Sequence, residues 1–329
     1  MKKKKVIVTG GAGFIGSHLV DELVNRKYDV IVIDNLTNSK KQNLSKSIKK
    51  IKFYKYDIRD IKKIDKLFKN VETVFHLAAL ADIVPSIQSP EEYYSINVTG
   101  TLNILELCKK YNIKKFIYSA SASCYGISKK FPTTEEAKIS PEYPYALTKR
   151  LGEELVIHWG KVYNLNFTSL RFFNVYGPRS RTTGTYGAMF GVFLAQKLAN
   201  KPFTVVGSGN QKRDFTFVSD IVDAIIKCSQ SIKSKNKIYN VGTEKPVSIN
   251  KIVSLLKGKK IHIPKRPGEP DITVASIKKI KNELNWAPKI SIEKGIQILL
   301  QNIHYWSDAP VWTKNSIKVA TKDWFKYLK

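Results

Sequence analysis

Tyr145 and Lys149 stand four residues apart in Tyr145-Ala-Leu-Thr-Lys149, the spacing that puts two side chains on one face of a helix. A phenol titrates near pH ~10 and is no base at neutral pH. An ammonium one turn away stabilises the phenolate and so favours acid–base chemistry. Such a pair is common by chance. Its position makes it informative, because Ser119-Ala-Ser121-Ala-Ser123 lies upstream at the end of a strand-like run.

A second constellation lies at the start of the chain. Thr9-Gly10-Gly11-Ala12-Gly13-Phe14-Ile15-Gly16 directly follows the run Lys5–Thr9 and opens an amphipathic stretch. Glycine at 10 suits a tight turn, at 13 a close approach of backbone to pyrophosphate, and at 16 packing of the helix. The helix N-terminus then offers free N–H groups and positive dipole to phosphates. Asp34 ends the second strand-like run, about 20 residues on, where a carboxylate accepts hydrogen bonds from an adenosine ribose. No arginine follows it closely, and Lys40 and Lys41 are the only cations to offset a 2′-phosphate, so NAD is expected rather than NADP. Asn35 belongs to the same expected site. Asp57-Ile58, after the third run, is placed to meet adenine, with a helix N-cap as the alternative for Asp57.

The elements that must position these groups follow from hydrophobic periodicity. Lys5–Thr9, Val30–Ile33, Ile51–Lys55, Thr73–His76, Lys115–Ser119 and Phe167–Phe172 read as strands, and Ser17–Asn25, Ile61–Phe68, Glu91–Tyr111 and Tyr145–Tyr163 as helices, the last begun by Pro144. Strands alternating with helices imply βαβ units. The fold class is therefore α/β: a doubly wound parallel (Rossmann) sheet with a second, smaller α/β substrate-binding lobe. Residues 1–176 are expected to form the NAD-binding domain, with returning segments around 214–243, among them a strand at Ile238–Val241. Residues 177–329 form the lobe and tail, interleaved with the first domain; a helix over Ala188–Asn200 and a strand over Phe203–Val206 belong to it. The tail from Tyr305 holds Trp306, Trp312 and Trp324, which must pack on something.

The motifs resemble, in order, those of the extended short-chain dehydrogenase/reductase family, in particular its NAD-dependent nucleotide-sugar epimerases and dehydratases. After the glycine turn come His76-Leu77-Ala78-Ala79, Asn97-Val-Thr-Gly-Thr101, the serine segment to Tyr125-Gly126, Tyr145/Lys149, Leu170-Arg-Phe-Phe-Asn174-Val-Tyr-Gly-Pro178 and Arg213-Asp-Phe-Thr-Phe-Val218. The resemblance implies Tyr145 as acid/base, Lys149 as its electrostatic partner and Ser121 as a hydroxyl on the reacting sugar oxygen. It adds Leu77, Ala78, Ala79 and Asn97 to the cofactor-binding set of Gly10, Gly13, Phe14, Ile15, Gly16, Asp34, Asn35, Asp57, Ile58, Tyr145 and Lys149. On the substrate side it implies Ser121, Ser123, Asn174 and Arg213, the last against a pyrophosphate. Arg266 would meet the phosphates and Glu269 the nucleotide ribose. An ion pair of Arg213 with Asp214 or Asp220 is the alternative for that arginine.

Which reaction is implied turns on positions 122 and 123. The family's 4,6-dehydratases carry an Asp–Glu pair there, and its UDP-glucuronate decarboxylases a Glu at the second; here they are Ala122 and Ser123. The remaining groups are an epimerase's inventory, and the resemblance is closest to UDP-glucose and UDP-N-acetylglucosamine 4-epimerases. Thr273 aligns with a gate where a bulky tyrosine excludes N-acetyl sugars. Arg179 and Arg181 follow Gly177-Pro178, where uronate-specific relatives carry an arginine, so UDP-glucuronate stays open. A reductase of the same fold and a non-catalytic NAD-sensing protein are the other readings. Departures from the pattern are Ala275-Ser276 in place of Ala-Asp, and a tail from Asp308 beyond the usual end. Relatives pair helices into a dimer, which here would use Glu91–Tyr111 and Tyr145–Tyr163.

Composition narrows the classes. The net charge is +29, but only 8 of the 56 basic residues are arginine and the lysines scatter, so no nucleic-acid function is expected. No stretch approaches the roughly 18 apolar residues of a membrane helix. The run Val6-Ile7-Val8 reads as a first strand rather than a signal peptide. The 3 cysteines have neither metal-ligand nor disulfide spacing, so no metal and a reducing cytoplasm are expected.

Overall fold

In the runs Val6–Val8 and Val30–Ile33 every residue is apolar, and the two faces of each run go to different cores. Val6, Val8, Val30 and Val32 join one cluster, while Ile7, Ile31, Ile33 and Val74 join another. Alternate side chains point to opposite faces, and a strand covered on both sides reads as a continuous apolar run. The computed structural model describes residues 3–180 and 189–328. Six strands build most of its central sheet: β1 (Lys5–Thr9), β2 (Asp29–Ile33), β3 (Ile51–Tyr54), β4 (Thr73–His76), β5 (Lys115–Ser121) and β6 (Phe167–Phe172).

After β6 the chain leaves for the lobe through β7 (Asn174–Tyr176), β8 (Phe203–Val206), β9 (Lys212–Arg213) and β10 (Phe215–Phe217). It returns as β11 (Lys237–Val241) and leaves again through β12 (Val247–Ser248) and β13 (Lys260–Ile263). The sheet is seven-stranded among the described residues, in the order β11-β6-β5-β4-β1-β2-β3, and all its pairings are parallel. The strand order reverses between β1 and β4, and the crevice beyond their carboxyl ends is where doubly wound sheets take their ligands.

Helices Phe14–Asn25 and Val218–Gln230 cover one face of the sheet; Gly100–Lys110 and Pro144–Tyr163 cover the other. A third core lies in the lobe, where β8 pairs with β13, β7 with β10 and β9 with β12.

The structure departs from the sequence reading at element ends. The first helix begins at Phe14, with Gly13 as N-cap, because glycines 13 and 16 belong to its first turn rather than to a loop before it. β5 runs on to Ser121, so that serine is the last strand residue. The stretch Glu91–Tyr111 is not one regular helix: a π-helical turn over Ser95–Thr99 separates Pro90–Tyr94 from Gly100–Lys110. Ile61–Phe68 is an α-turn followed by a 3-10 turn. The tail packs onto the lobe, with Trp306 and Ile317 in its core. None of the described helices is long and apolar enough to cross a membrane.

Candidate active site

One cavity of about 700 Å³ runs from the glycine turn, past Tyr145, to the lobe. Its first end is made by backbone. Gly10 has φ +69°, and a Cβ there would lie 2.7 Å from the Ala78 nitrogen at the end of β4. A Cβ on Gly16 would lie 2.1 Å from the Gly10 carbonyl oxygen, so this glycine lets the helix seat on the turn itself. Asp34 is buried at the end of β2; its Oδ2 accepts from the Ala12 N–H at 2.9 Å, and Oδ1 from the Leu36 N–H and the Ser39 hydroxyl. A carboxylate has about four acceptor positions, so Asp34 keeps capacity for a ribose hydroxyl. Lys40 lies over the Tyr305 ring and Lys41 over Phe53, which engages both of the cations weighed for a 2′-phosphate.

Asp57 also lines the cavity, its carboxylate held by Arg59 and by the Asn35 amide at 2.9 Å. The Arg59 hydrogen bonds hold its acid down at about 2. The N-cap considered for it belongs to Asp60, whose side chain accepts from the Lys63 N–H. Phe14, Ile15, Ile58, Leu77, Ala78 and Ala79 line the same end. Asn97 does not. Its amide is spent on the Leu80 N–H and carbonyl and on the Thr148 hydroxyl, at 2.8–3.0 Å, so it braces the wall behind the site.

The middle of the cavity is set by helix Pro144–Tyr163 lying close on β5. Gly152 permits this, since a Cβ there would meet the Tyr118 hydroxyl at 2.3 Å. Tyr145, Lys149, Ser121 and Ser123 all line the cavity. The Ser121 and Ser123 hydroxyls are 2.8 Å apart, and the Ser123 N–H donates to the Ser121 oxygen. The Lys149 ammonium sits 4.5 Å from the centre of the Tyr118 ring. Burial lowers its pKa to about 7, against the opposing pull of Glu153. Glu153 itself is committed to Arg171, Arg150 and Ser169. Burial also pushes the Tyr145 phenol up, with the Ser121 and Ser123 hydroxyls pulling it down. The lowering of that phenol expected from the Lys149 ammonium and a bound nicotinamide ring therefore has to work against burial.

The far end is made of side chains from separate loops. Half-buried Arg213 lines the cavity and donates to the Lys212 carbonyl at 3.0 Å. The ion pair weighed for it is absent. Asp214 instead accepts from Thr243, Glu244 and Ala275, and Asp220 from the Ile290 N–H. Arg266 and Glu269 pair with each other at 3.0 Å on the cavity wall. The Thr273 hydroxyl donates to the Asn174 carboxamide oxygen at 3.2 Å. Arg179 pairs with Asp21 at 2.7 Å and is not on the wall; Arg181 lies outside the described residues. A profile of the NAD dependent epimerase/dehydratase family matches residues 6–242.

The chain belongs to that family.

Three solved structures give the likeness its detail. UDP-glucose 4-epimerase from Thermotoga maritima, solved with UDP-glucose, is 33% identical, with a TM-score of 0.87 over 91% of this chain and 98% of that one. UDP-N-acetylglucosamine 4-epimerase from Methanobrevibacter ruminantium M1, in complex with UDP-N-acetylmuramic acid, is 32% identical, with a TM-score of 0.87 over 92% and 99%. UDP-glucuronic acid 4-epimerase from Bacillus cereus, in complex with UDP-glucuronic acid and NAD, is 31% identical, with a TM-score of 0.85 over 91% and 99%.

The cofactor of this epimerase/dehydratase family member is NAD, and the glycine cradle fits it: a Cβ on Gly10 or Gly16 would fill the turn. Several wall residues of the site carry no motif. Tyr143 stacks on Tyr145 with ring centres 6.3 Å apart. Ser39 fixes Asp34; behind the wall, Asp214 ties the Arg213 strand to Ala275, just after Thr273. Trp324 lines the cavity from the tail. Exposed Glu142 also lies on the wall beside Gly126, so the cavity is not without a carboxylate near the serine segment. The step from Ser123 to Pro144 hides this in the sequence, because the intervening loop doubles back.

Proposed function

We propose that this family member is an NAD-dependent 4-epimerase of a UDP-sugar. The observation that carries the reading is the convergence of Tyr145, Lys149 and Ser121 on one cavity that joins the glycine cradle to Arg213, with no carboxylate at positions 122 and 123. Tyr145 takes the proton of the sugar 4-hydroxyl, and Ser121 holds that oxygen by a hydrogen bond. NAD, when bound, supplies the hydride acceptor at carbon 4 and a positive ring that favours phenolate. Lys149 adds its charge to the same end while protonated. Arg213, Arg266 and Glu269 grip the nucleotide, leaving the sugar room to turn and present its other face before Tyr145 returns the proton.

UDP-glucose and UDP-N-acetylglucosamine are the sugars the site supports best, because Thr273 is small and hydrogen-bonded to Asn174. The commitment of Arg179 to Asp21 counts against a uronate. We further infer a Rossmann domain over 1–176 with returning segments around 214–243, and a lobe over 177–329. Exposed Tyr94, at the end of Pro90–Tyr94, and exposed Leu147, Val162 and Tyr163 on Pro144–Tyr163 support a homodimer through a helix bundle. Three free, buried cysteines agree with a reducing cytoplasm.

The test is incubation of the purified protein with UDP-glucose, UDP-N-acetylglucosamine or UDP-glucuronate, without added NADH, followed by proton NMR. The expected result is a 4-epimer from at least one of the first two. Product only with stoichiometric NADH would make it a reductase.

A further inference from the structure

The tail beyond the matched region is built into the cavity wall. Thr313 opens helix Lys314–Ala320 with a reciprocal capping box, and Ile317 is buried in the lobe core. Just before it, the Trp312 carbonyl accepts from the fully buried Gln196 amide at 2.7 Å. That anchors the segment on the lobe. The next helix, Lys322–Tyr327, reaches helix Ile83–Gln88 on the sheet side, where the Gln88 amide donates to Asp323 at 3.0 Å. Ile83 and Val84 of that helix line the cavity, as do Arg266, Gly268 and Glu269 of the loop opposite. The tail therefore crosses from one wall of the mouth to the other.

Trp324 stands at the crossing and is only 2% exposed. Its indole N–H donates to the Pro267 carbonyl at 2.7 Å, and the Arg266 guanidinium lies 5.2 Å from its ring centre. A guanidinium over an indole face is held in one orientation, and its charge is not neutralised by the contact. The hydrogen bond fixes the backbone of the same loop, and Leu328 closes against Gly268. Both contacts fall on the loop whose arginine and glutamate face the cavity.

We propose that Thr313–Leu328 is a strap across the mouth of the cavity and that Trp324 is a positioning residue for Arg266, setting it to bind the nucleoside diphosphate of the substrate. The inference rests on the functional reading above. Undocking the strap frees the Arg266–Glu269 loop, while Gly10, Gly16 and Asp34 of the cradle keep their own contacts on the turn after the first strand.

The experiment measures UDP and NAD affinities by calorimetry, and KM for the sugar found above, on the full chain as wild type, Trp324→Ala, Trp324→Phe and the double variant Trp324→Ala/Arg266→Ala. The expected loss of UDP affinity is about tenfold for Trp324→Ala and about threefold for Trp324→Phe, which keeps a ring but no N–H. KM should rise with it while NAD affinity stays within about twofold. Because Trp324 acts through Arg266, Trp324→Ala should add nothing to Arg266→Ala. UDP affinity equal to wild type in either folded single variant overturns the strap, as does an additive double variant. If Trp324→Ala does not fold, Trp324→Phe alone decides. A wild type that binds NAD but not UDP overturns the functional reading, and this inference with it.

Discussion

The two ends of the cavity are built from different materials. At the dinucleotide end, Gly10, Asp34 and Ala78 follow the carboxyl ends of three neighbouring strands, β1, β2 and β4, and the glycine turn brings backbone to the cavity. At the other end, Asn174, Arg213, Arg266, Thr273 and Trp324 come from separate excursions of the chain and present side chains. A backbone cradle inherits the stiffness of the sheet. A set of loop side chains keeps its geometry only through ties such as Asp214, which is wholly buried and joins β9–β10 to the segments at 243 and 275. The fixed end suits a cofactor that stays; the tied end suits a substrate that must enter, turn and leave.

The sharpest break in that comparison lies at the middle. Tyr145→Phe should cost roughly 10³-fold in kcat with both binding ends intact, the usual range for an acid–base group; a sensor protein would lose nothing. NAD retention and turnover, measured on the same sample, decide it. Next come two changes that should separate the ends. Gly16→Ala forces a Cβ onto the Gly10 carbonyl and should cost about 1–3 kcal/mol of stability and on the order of tenfold in NAD affinity. Arg213→Ala should cost roughly tenfold or more in UDP affinity and leave NAD binding as it was. If each variant weakens both ligands alike, the two ends are not independent.

A smaller effect tests the burial of Lys149. Its folded pKa, about 7, lies below the ordinary lysine value, so between these the unfolded chain binds the extra proton. Stability therefore rises with pH in that window, and the cost of burying the ammonium is greatest below it. Lys149→Met should remove this contribution, narrowing its stability advantage by up to about 1.4 kcal/mol per unit between pH 7 and 9 in urea unfolding. A pH-independent difference would show that the lysine is not desolvated as described. The smallest expected effect is Glu142→Gln. Exposed at the rim, this carboxylate should change epimerase kcat by less than about twofold, and a loss beyond tenfold would make it an acid or base of the reaction.

Much of the sheet was legible because its signal is local. The runs Lys5–Thr9, Thr73–His76 and Phe167–Phe172 are strands with the bounds read from the sequence, since apolar β-branched runs between turn residues have few other uses. Helix ends were less legible. The π-turn at Ser95–Thr99 leaves no mark in a periodicity that continues through it, and it is this turn that brings Asn97 to Leu80 and Thr148 rather than to the cavity. Glu142 and Trp324 were invisible as wall residues, because a loop and a tail are placed by what they pack on.

The glycine turn, the Tyr145–Lys149 pair and the absence of acids at 122 and 123 were readable from local residues alone, because each depends on residues within one or two turns of each other. What needed the packed chain was that burial raises the Tyr145 phenol, that Arg213 is clear of Asp214 and Asp220, and that the tail reaches Arg266. Burial and long-range pairing depend on which distant segments share a wall, and that is a property of the packed chain rather than of any stretch of it.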